Sequence, residues 1–331
     1  MHSRLRLFGI LCALSSGLIL TKPVAAQDWT QWRGPNRYAT IESFTAPAGW
    51  KPKLTKGWSV EVGEGHSSPL IVGDRIYIQS RMGDNEGVKC LRFATGAPVW
   101  ADAYPAPYEP VPAAKGHGKG PKSTPVYANG MLVTLGITGT LTCYNATDGA
   151  ILWRKDYAGQ FPATYPEFGA AMSPVVDRDL VIAHVGGKDN GAMVAYEMKT
   201  GKLRWEWKED GPSYASPIVT FIDNVRQVVT QTEHNCVGIS AEDGKLLWKI
   251  PFTTPYEQNS VSPVAIGGGK ILFGGTGNPT FLCKPHKDGD TWKVDKLWET
   301  RDVIFYMNTP VLNGNLLYGM SQKKSGQMVS F

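Results

Sequence analysis

Short apolar runs, separated by turn residues, follow one another along most of the chain. One representative unit contains four such runs, at residues 173–176, 180–185, 192–196 and 203–207. Runs of this length, bounded by Gly, Asn and Asp and lacking an apolar period of 3.6 residues, predict strands rather than helices. We therefore predict an all-β chain whose repeating unit is a sheet of four strands.

Two markers recur in phase with this unit. Tryptophan follows glycine by four residues at Gly96 and Trp100, Gly149 and Trp153, Gly201 and Trp205, and Gly244 and Trp248. Serine or threonine precedes proline at Pro69, Pro125, Pro174, Pro217, Pro263 and Pro310, at intervals of 43 to 56 residues. Strand-rich repeats of this period are typical of propeller blades. The predicted fold is a β-propeller of four-stranded blades.

The repeats predict five complete blades between Pro69 and Trp298 and a further blade that begins at Pro310. A residue run at 58–62 resembles the last strand of a blade, and we expect it to close the ring, since closure removes exposed sheet edges. The pattern breaks off at residues 328–331, so we expect a ring truncated at its C-terminus. The predicted domains are an N-terminal extension at 27–55 and the propeller at 56–331.

Residues 1–26 have the composition of a secretory signal peptide. Arg4 and Arg6 precede an uncharged apolar run at residues 7–20, and small residues at 24–26 offer a cleavage site. The apolar run is too short to span a bilayer, and no later run is longer. We therefore expect a periplasmic or secreted protein without a membrane span.

The charge and the cysteines of the sequence argue against a nucleic-acid-binding protein and against a site built on a Cys-x-x-Cys motif. The chain has 34 basic and 29 acidic residues, a net charge of +5, and three of the basic residues lie in the predicted signal. A nearly neutral mature protein does not favour a nucleic-acid partner. Its four cysteines, at 90, 143, 236 and 283, form no Cys-x-x-Cys motif, and we interpret them as small core residues.

Residues 195–205, with the sequence AYEMKTGKLRW, resemble the tryptophan-docking motif of pyrroloquinoline quinone (PQQ) dehydrogenases and of their non-enzymatic relatives. The segment at 29–37 is similar to the start of secreted bacterial PQQ-like repeat proteins. The resemblance implies that each motif tryptophan packs flat between blades and that a complete ring has eight blades. It also implies two classes of function, namely quinoprotein dehydrogenases and binding scaffolds such as the lipoprotein of the outer-membrane barrel assembly machine.

For the dehydrogenase class, the resemblance implies a Ca²⁺ ion held by Glu and Asn beside the quinone and an Asp as general base. Large alcohol-oxidising members cover one face of the quinone with a disulfide between adjacent cysteines, a pair that this sequence lacks.

Polar residues before each repeated proline are the candidate ligand contacts, because the loop before each innermost strand of a propeller faces the central channel. These candidates are His66, His117, Lys122, Glu167, Tyr214, Asn259 and Asn308. On the PQQ hypothesis, Glu167 and Asn259 would bind Ca²⁺, Lys122 or His117 would meet the quinone carboxylates, and His66 or His117 would take the substrate proton. The alternative interpretation is that these residues only solvate the mouth of the funnel.

Two hypotheses for function follow. The first is a periplasmic or secreted scaffold that binds a protein, a peptide or a small molecule through its funnel or loops, without a cofactor. The loop at 101–122 and an insertion at 286–295 would add aromatic contact surface to the rim. The alternative is a PQQ- and Ca²⁺-dependent alcohol or sugar dehydrogenase.

Overall fold

The structure is a computed structural model that describes residues 27–42, 44–157, 160–161, 165–323 and 326–331. The predicted signal at 1–26 lies outside these residues. Five antiparallel sheets have four strands each, in chain order, and a sixth sheet has three. This arrangement confirms the predicted all-β fold, its four-stranded blades and the five complete units followed by a partial one.

The strands of each blade follow directly on one another in the sequence. Blade 1 contains β1 (Leu70–Val72), β2 (Arg75–Met82), β3 (Asn85–Arg92) and β4 (Pro98–Pro105), and blade 2 contains β5 (Val126–Ala128), β6 (Met131–Leu135), β7 (Leu141–Asn145) and β8 (Ile151–Lys155). Blade 3 contains β9 (Val175–Asp177), β10 (Leu180–Gly187), β11 (Asn190–Glu197) and β12 (Leu203–Trp207). Blade 4 contains β13 (Ile218–Ile222), β14 (Val225–Gln231), β15 (Asn235–Ser240) and β16 (Leu246–Pro251).

Blade 5 contains β17 (Val264–Gly267), β18 (Lys270–Gly275), β19 (Asn278–Asp288) and β20 (Thr291–Thr300), and the partial blade 6 contains β21 (Val311–Asn313), β22 (Leu316–Met320) and β23 (Met328–Ser330). Two short 3-10 helices lie in the loops, at Pro112–His117 and Pro255–Glu257. The insertion predicted at 286–295 lengthens the outer hairpin of blade 5, in which Asp288 pairs with Thr291.

The core consists of apolar clusters between successive blades. In the cluster between blades 2 and 3, Leu141 and Cys143 pack with Val181 and Val194, all of them buried. Equivalent clusters join each other pair of neighbouring blades from 1 to 6. The four cysteines of the described residues are buried and free, so they serve as small apolar side chains in these clusters.

An indole lies on a glycine of the following blade at four junctions: Trp58 on Gly96, Trp100 on Gly149, Trp153 on Gly201 and Trp205 on Gly244. Each glycine has a φ between +67° and +79°, and a Cβ on Gly201 would lie 2.6 Å from Cγ of Trp153. The indole N–H donates to a carbonyl three residues before the glycine, as from Trp153 to Met198 at 2.7 Å. A residue other than glycine would therefore meet both the indole and an unfavourable backbone conformation.

Trp248 departs from this arrangement. Its indole N–H donates to Oε1 of Gln227 in its own blade at 2.7 Å, and its ring covers Gly238 rather than a glycine of blade 5. The predicted motif of Gly244 and Trp248 thus supplies the glycine of one junction but not the indole of the next.

The strand predicted at 58–62 is absent from the structure, which corrects that prediction. The carbonyl of Val62 accepts hydrogen bonds from the Ser80 hydroxyl and the Lys89 ammonium, so side chains take the place of a partner strand there. Trp58 nevertheless occupies a junction position, because its indole donates to the Phe93 carbonyl at 3.0 Å.

A chain of hydrogen bonds links all six blades through the Ser or Thr that precedes each repeated proline. In blades 1 to 5, the backbone N–H of this residue donates to the hydroxyl oxygen of the equivalent residue one blade later, at 2.9 to 3.0 Å. The order is Ser68, Thr124, Ser173, Ser216, Ser262 and Thr309. We call this set the hydroxyl chain, and it fixes the starts of the inner strands relative to one another.

The segment at 27–42 crosses from one side of the structure to another. Arg33 donates to the carbonyl of Thr309 at 2.8 Å, at the start of blade 6. Arg37, which is buried, donates to the carbonyl of Ser173 at 3.0 Å, at the start of blade 3. Part of the predicted N-terminal extension is therefore packed against the blades.

Candidate binding site at the propeller mouth

A pocket of about 370 Å³ lies where the loops before the inner strands converge. Its walls come from the loops that precede blades 2 to 6, and we call it the mouth pocket. The lining residues are Ala113, His117, Lys122, Phe168, Ala171, Tyr214, Gln258, Ser260, Tyr306 and Met307. Three of the predicted site residues, His117, Lys122 and Tyr214, are therefore brought together.

Lys122 is the cation of the mouth pocket. Its ammonium donates to the carbonyl of Phe168, and partial burial lowers the pKa of Lys122. Among the described residues, it forms no ion pair with a carboxylate. A half-buried ammonium that is bound to only a neutral carbonyl keeps donor capacity for an acceptor on a ligand.

Aromatic rings form the wall beside Lys122. The ring of Phe168 contacts His117 and Tyr214 edge to face, with centroids 5.7 and 5.9 Å apart. The Tyr214 hydroxyl accepts a hydrogen bond from the backbone N–H of Phe168 at 3.3 Å, and burial raises the pKa of Tyr214. These contacts hold a rigid apolar surface against which a ligand can pack.

Tyr306 and Met307 extend this surface toward blade 6. Both remain accessible, at 48% and 44% of their full exposure. They also line a neighbouring pocket of about 490 Å³ with Met320 and Gln322. The two pockets therefore share Tyr306 and Met307 as a common wall.

The other predicted site residues have separate positions. His66 lies beside the pocket, where its Nε2 is 2.9 Å from the carbonyl of His117. Glu167 lines a small adjoining pocket with Glu233 and Glu257. Asn308 lines the larger pocket, but its side-chain amide is bound to the backbone of Met320 through two hydrogen bonds, at 2.8 and 3.0 Å.

Asn259 does not face the mouth, which corrects its expected position. Its side chain is fully buried, and its amide oxygen accepts from the backbone N–H of Thr254 at 2.9 Å. Its amide nitrogen donates to the carbonyls of Thr232, Glu233 and Phe252. Because the amide already joins the β14–β15 hairpin to the loop after β16, Asn259 belongs to the framework of blade 4.

Sequence reasoning missed the apolar members of the site. Phe168 and Met307 line the mouth pocket, but they are not among the predicted site residues, all of which carry a polar group. Their position in the loop before a repeated proline is the signal that would have found them. The hydroxyl chain has an equally plain signal, since its members are the Ser and Thr of the Ser/Thr-Pro repeat.

A family model described as "Outer membrane protein assembly factor BamB" matches residues 84–330, which is most of the chain. The chain belongs to the BamB family. The BamB of Yersinia pestis is 24% identical over 248 residues, which cover 69% of this chain and 58% of that protein. Tetrathionate hydrolase of Acidithiobacillus ferrooxidans is 27% identical over 163 residues, which cover 45% of this chain and 30% of that enzyme. The chain thus spans at most 58% of the length of these two relatives.

Two solved structures share the propeller fold of this BamB-family chain. BamB from Moraxella catarrhalis has a TM-score of 0.51 and 16% identity, covering 76% of this chain and 68% of that one. Quinohemoprotein alcohol dehydrogenase from Comamonas testosteroni also has a TM-score of 0.51, with 15% identity, covering 82% of this chain and 49% of that one. Within the described residues, no helix has the length and apolar character needed to cross a membrane.

Proposed function

We propose that this chain is a binding scaffold of the bacterial cell envelope that holds a protein or peptide partner at the mouth of its propeller. The observation that carries the proposal is the apolar groove formed by Phe168, Tyr306 and Met307 around the ammonium of Lys122. Membership of the BamB family supports it, because that family is described as an assembly factor for outer-membrane proteins rather than as an enzyme.

The groove suits an extended peptide segment with an apolar side chain and a nearby acceptor. An aromatic or aliphatic side chain packs against the ring of Phe168 and the thioether of Met307, and apolar contacts of this kind line most ligand pockets. A carboxylate or carbonyl of the same segment accepts from Lys122. Exposed Tyr306 at the rim adds an aromatic contact of the kind that is enriched in protein interfaces.

The residues predicted for PQQ with Ca²⁺ do not fit that cofactor. A Ca²⁺ ion needs several oxygen ligands that are free to converge on it. The oxygen of Asn259 is buried and bound to the backbone N–H of Thr254, so it does not join Glu167 in such a site. We therefore derive no oxidoreductase chemistry from this pair.

Selection from a phage-displayed random peptide library, followed by calorimetry with the selected synthetic peptides, tests the proposal. We expect micromolar dissociation constants that increase at least about tenfold in Tyr306→Ala, since rim aromatics are frequent interface hot spots. Phe221→Ala is the matched control, because it removes a ring that is 57% exposed on β13, away from the groove. Failure to select any peptide, or equal affinity in wild type and Tyr306→Ala, contradicts the proposal.

A parallel titration with PQQ distinguishes the alternative function. We expect no saturable PQQ binding, with Ca²⁺ or with a chelator. Tight binding that requires Ca²⁺ and weakens in Lys122→Met would favour the dehydrogenase hypothesis instead.

We also propose that residues 1–26 direct export to the periplasm or the medium. Their fusion to an alkaline phosphatase that is active only outside the cytoplasm is expected to give activity that deletion of residues 7–20 abolishes. Activity that is unchanged by the deletion would refute the export signal.

A further inference from the structure

Three side chains that offer metal-ligand atoms meet on the rim between blades 3 and 4. Asp189 lies at the tip of the β10–β11 hairpin, and Glu233 and His234 lie in the β14–β15 hairpin of the next blade. One carboxylate oxygen from each acid and one imidazole nitrogen all lie within 4.8 Å of one another.

The spacing of these atoms suits a small divalent ion. Nε2 of His234 is 3.2 Å from Oδ1 of Asp189 and 3.9 Å from Oε2 of Glu233. Zn²⁺ binds such ligands at about 2.0 to 2.2 Å in a tetrahedron, which places the ligand atoms roughly 3.3 Å apart. The three atoms therefore already stand close to the separations of a tetrahedral site, with a fourth position open to water.

Glu233 is the least accessible member of the cluster. Its side chain is only 5% exposed, compared with 42% for His234 and 69% for Asp189. Its Oε2 accepts from the backbone N–H of Asp189 at 2.7 Å, which orients this oxygen toward the other two ligands. A nearly buried carboxylate is stabilised by a cation that lies close to it.

Charged side chains of neighbouring residues lie close to the cluster. Lys188 is the nearby cation, but its ammonium is paired with Glu257 at 2.7 Å. Among the described side chains, His234 is therefore the cationic group that lies within ion-pair distance of Asp189 and Glu233.

The backbone holds the cluster in place. The N–H of His234 donates to Oδ2 of Asp210 at 3.2 Å, which fixes the start of its hairpin. Gly211 permits the approach of Glu233, because a Cβ at that position would lie 2.4 Å from Oε2. The ligand atoms are therefore positioned by buried framework groups, as preorganised metal sites require.

We propose that Asp189, Glu233 and His234 bind one divalent transition-metal ion that links blades 3 and 4 at the rim. An imidazole with two carboxylates favours Zn²⁺ or a similar borderline ion over Ca²⁺ and Mg²⁺, which prefer oxygen ligands alone. The site is separate from the mouth pocket, and the proposal does not depend on the function proposed above.

Calorimetric titration of the chelator-treated chain with ZnCl₂, produced without a histidine tag, tests this proposal. We expect saturable binding of about one ion per chain and an affinity reduced at least about tenfold in Asp189→Asn and in His234→Gln, since each removes one of three ligands. Ca²⁺ and Mg²⁺ are expected not to compete at equal concentration.

His286→Gln is the matched control, because His286 lies 3.5 Å from Asp295 in a rim hairpin as a His–carboxylate pair without a third ligand. It is expected to bind Zn²⁺ like the wild type. Circular dichroism verifies folding, and if His234→Gln does not fold, Asp189→Asn decides the outcome, because its side chain is 69% exposed. No saturable binding to the folded wild type, or equal affinity in wild type and Asp189→Asn, overturns the proposal.

Discussion

The backbone N–H of Ser173 donates to the hydroxyl oxygen of Ser216, 2.9 Å away at the start of the next blade. Ser216 in turn donates its own N–H to the hydroxyl of Ser262 at 2.9 Å. Both hydroxyls are buried, so water does not replace a lost acceptor. The hydroxyl chain therefore couples the blades beside the mouth pocket.

Ser216→Ala is expected to reduce the free energy of unfolding by about 1 to 3 kcal/mol, because it leaves the buried N–H of Ser173 without an acceptor. Ser216→Thr is the control, since Thr124 and Thr309 perform the same role elsewhere in the chain. Urea unfolding measures both variants. Equal stability of the Ala and Thr variants would show that the hydrogen bond contributes nothing.

Gly201→Ala is expected to reduce the free energy of unfolding by about 2 to 4 kcal/mol. The substitution places a methyl group against the indole of Trp153 and imposes a positive φ on alanine. Gly289→Ala is the matched control: φ is +62° there too, but no atom lies within 4 Å of the added Cβ. Chemical denaturation gives the loss in free energy of unfolding for each variant, and the difference between the two losses measures the cost of the indole contact. Equal losses would show that the contact with Trp153 has no effect on stability.

His184 is expected to make the protein less stable in acid. Burial lowers the pKa of His184 to about 4 from 6.5, and its Nε2 lies 3.0 Å from the carbonyl of Asp210. The neutral imidazole of His184 contributes fully to the free energy of unfolding above pH 6.5. Because the unfolded chain binds the proton more readily, this contribution is lost as the pH falls toward 4, by about 3 kcal/mol. Unfolding of His184→Gln between pH 7 and 4 is expected to lack this loss. If the free energy of unfolding falls equally with pH in wild type and His184→Gln, His184 is not the source of the acid sensitivity.

Glu86 is expected to make the protein less stable as the pH rises, which is the opposite pH dependence to that expected for His184. Burial raises the pKa of Glu86 to about 7, although its carboxylate accepts from the N–H of Ile137 at 3.0 Å. The protonated carboxyl of Glu86 therefore contributes fully to the free energy of unfolding below pH 4.5. This contribution is lost as the pH rises through 7, by about 3 kcal/mol. Glu86→Gln keeps an acceptor for Ile137 and is expected to gain stability relative to wild type from pH 5 to 8. Glu242→Gln, at an exposed position, is the control, and an identical trend in both variants would disprove the role of burial.

The sequence predicted the blades well because strand length, turns and repeat markers are local properties. The unit containing Pro174 and Trp205 was assigned four strands, and blade 3 has them at nearly those positions. The strand expected near Trp58 is absent, because strand formation depends on a partner elsewhere in the chain; the carbonyl of Val62 accepts from side chains, and backbone pairing begins only at Glu64, opposite Arg81.

The site was predicted only in part, because its geometry depends on contacts between distant residues. His117, Lys122 and Tyr214 precede repeated prolines and do line the mouth pocket. Asn259 has the same sequence context, yet its amide is buried between the β14–β15 hairpin and the loop after β16. Sequence position identifies the loop, whereas the neighbours of a polar side chain determine whether it reaches a ligand.

Hydrogen–deuterium exchange of the chain, free and bound to a selected peptide, measures directly whether the partner binds at the propeller mouth. We expect slower exchange in the mouth loops at 112–122, 165–171, 254–260 and 304–308, and unchanged exchange in the outer hairpin of blade 5. Protection that is confined to that hairpin or to other outer strands, with the mouth loops unchanged, would contradict a binding site at the propeller mouth.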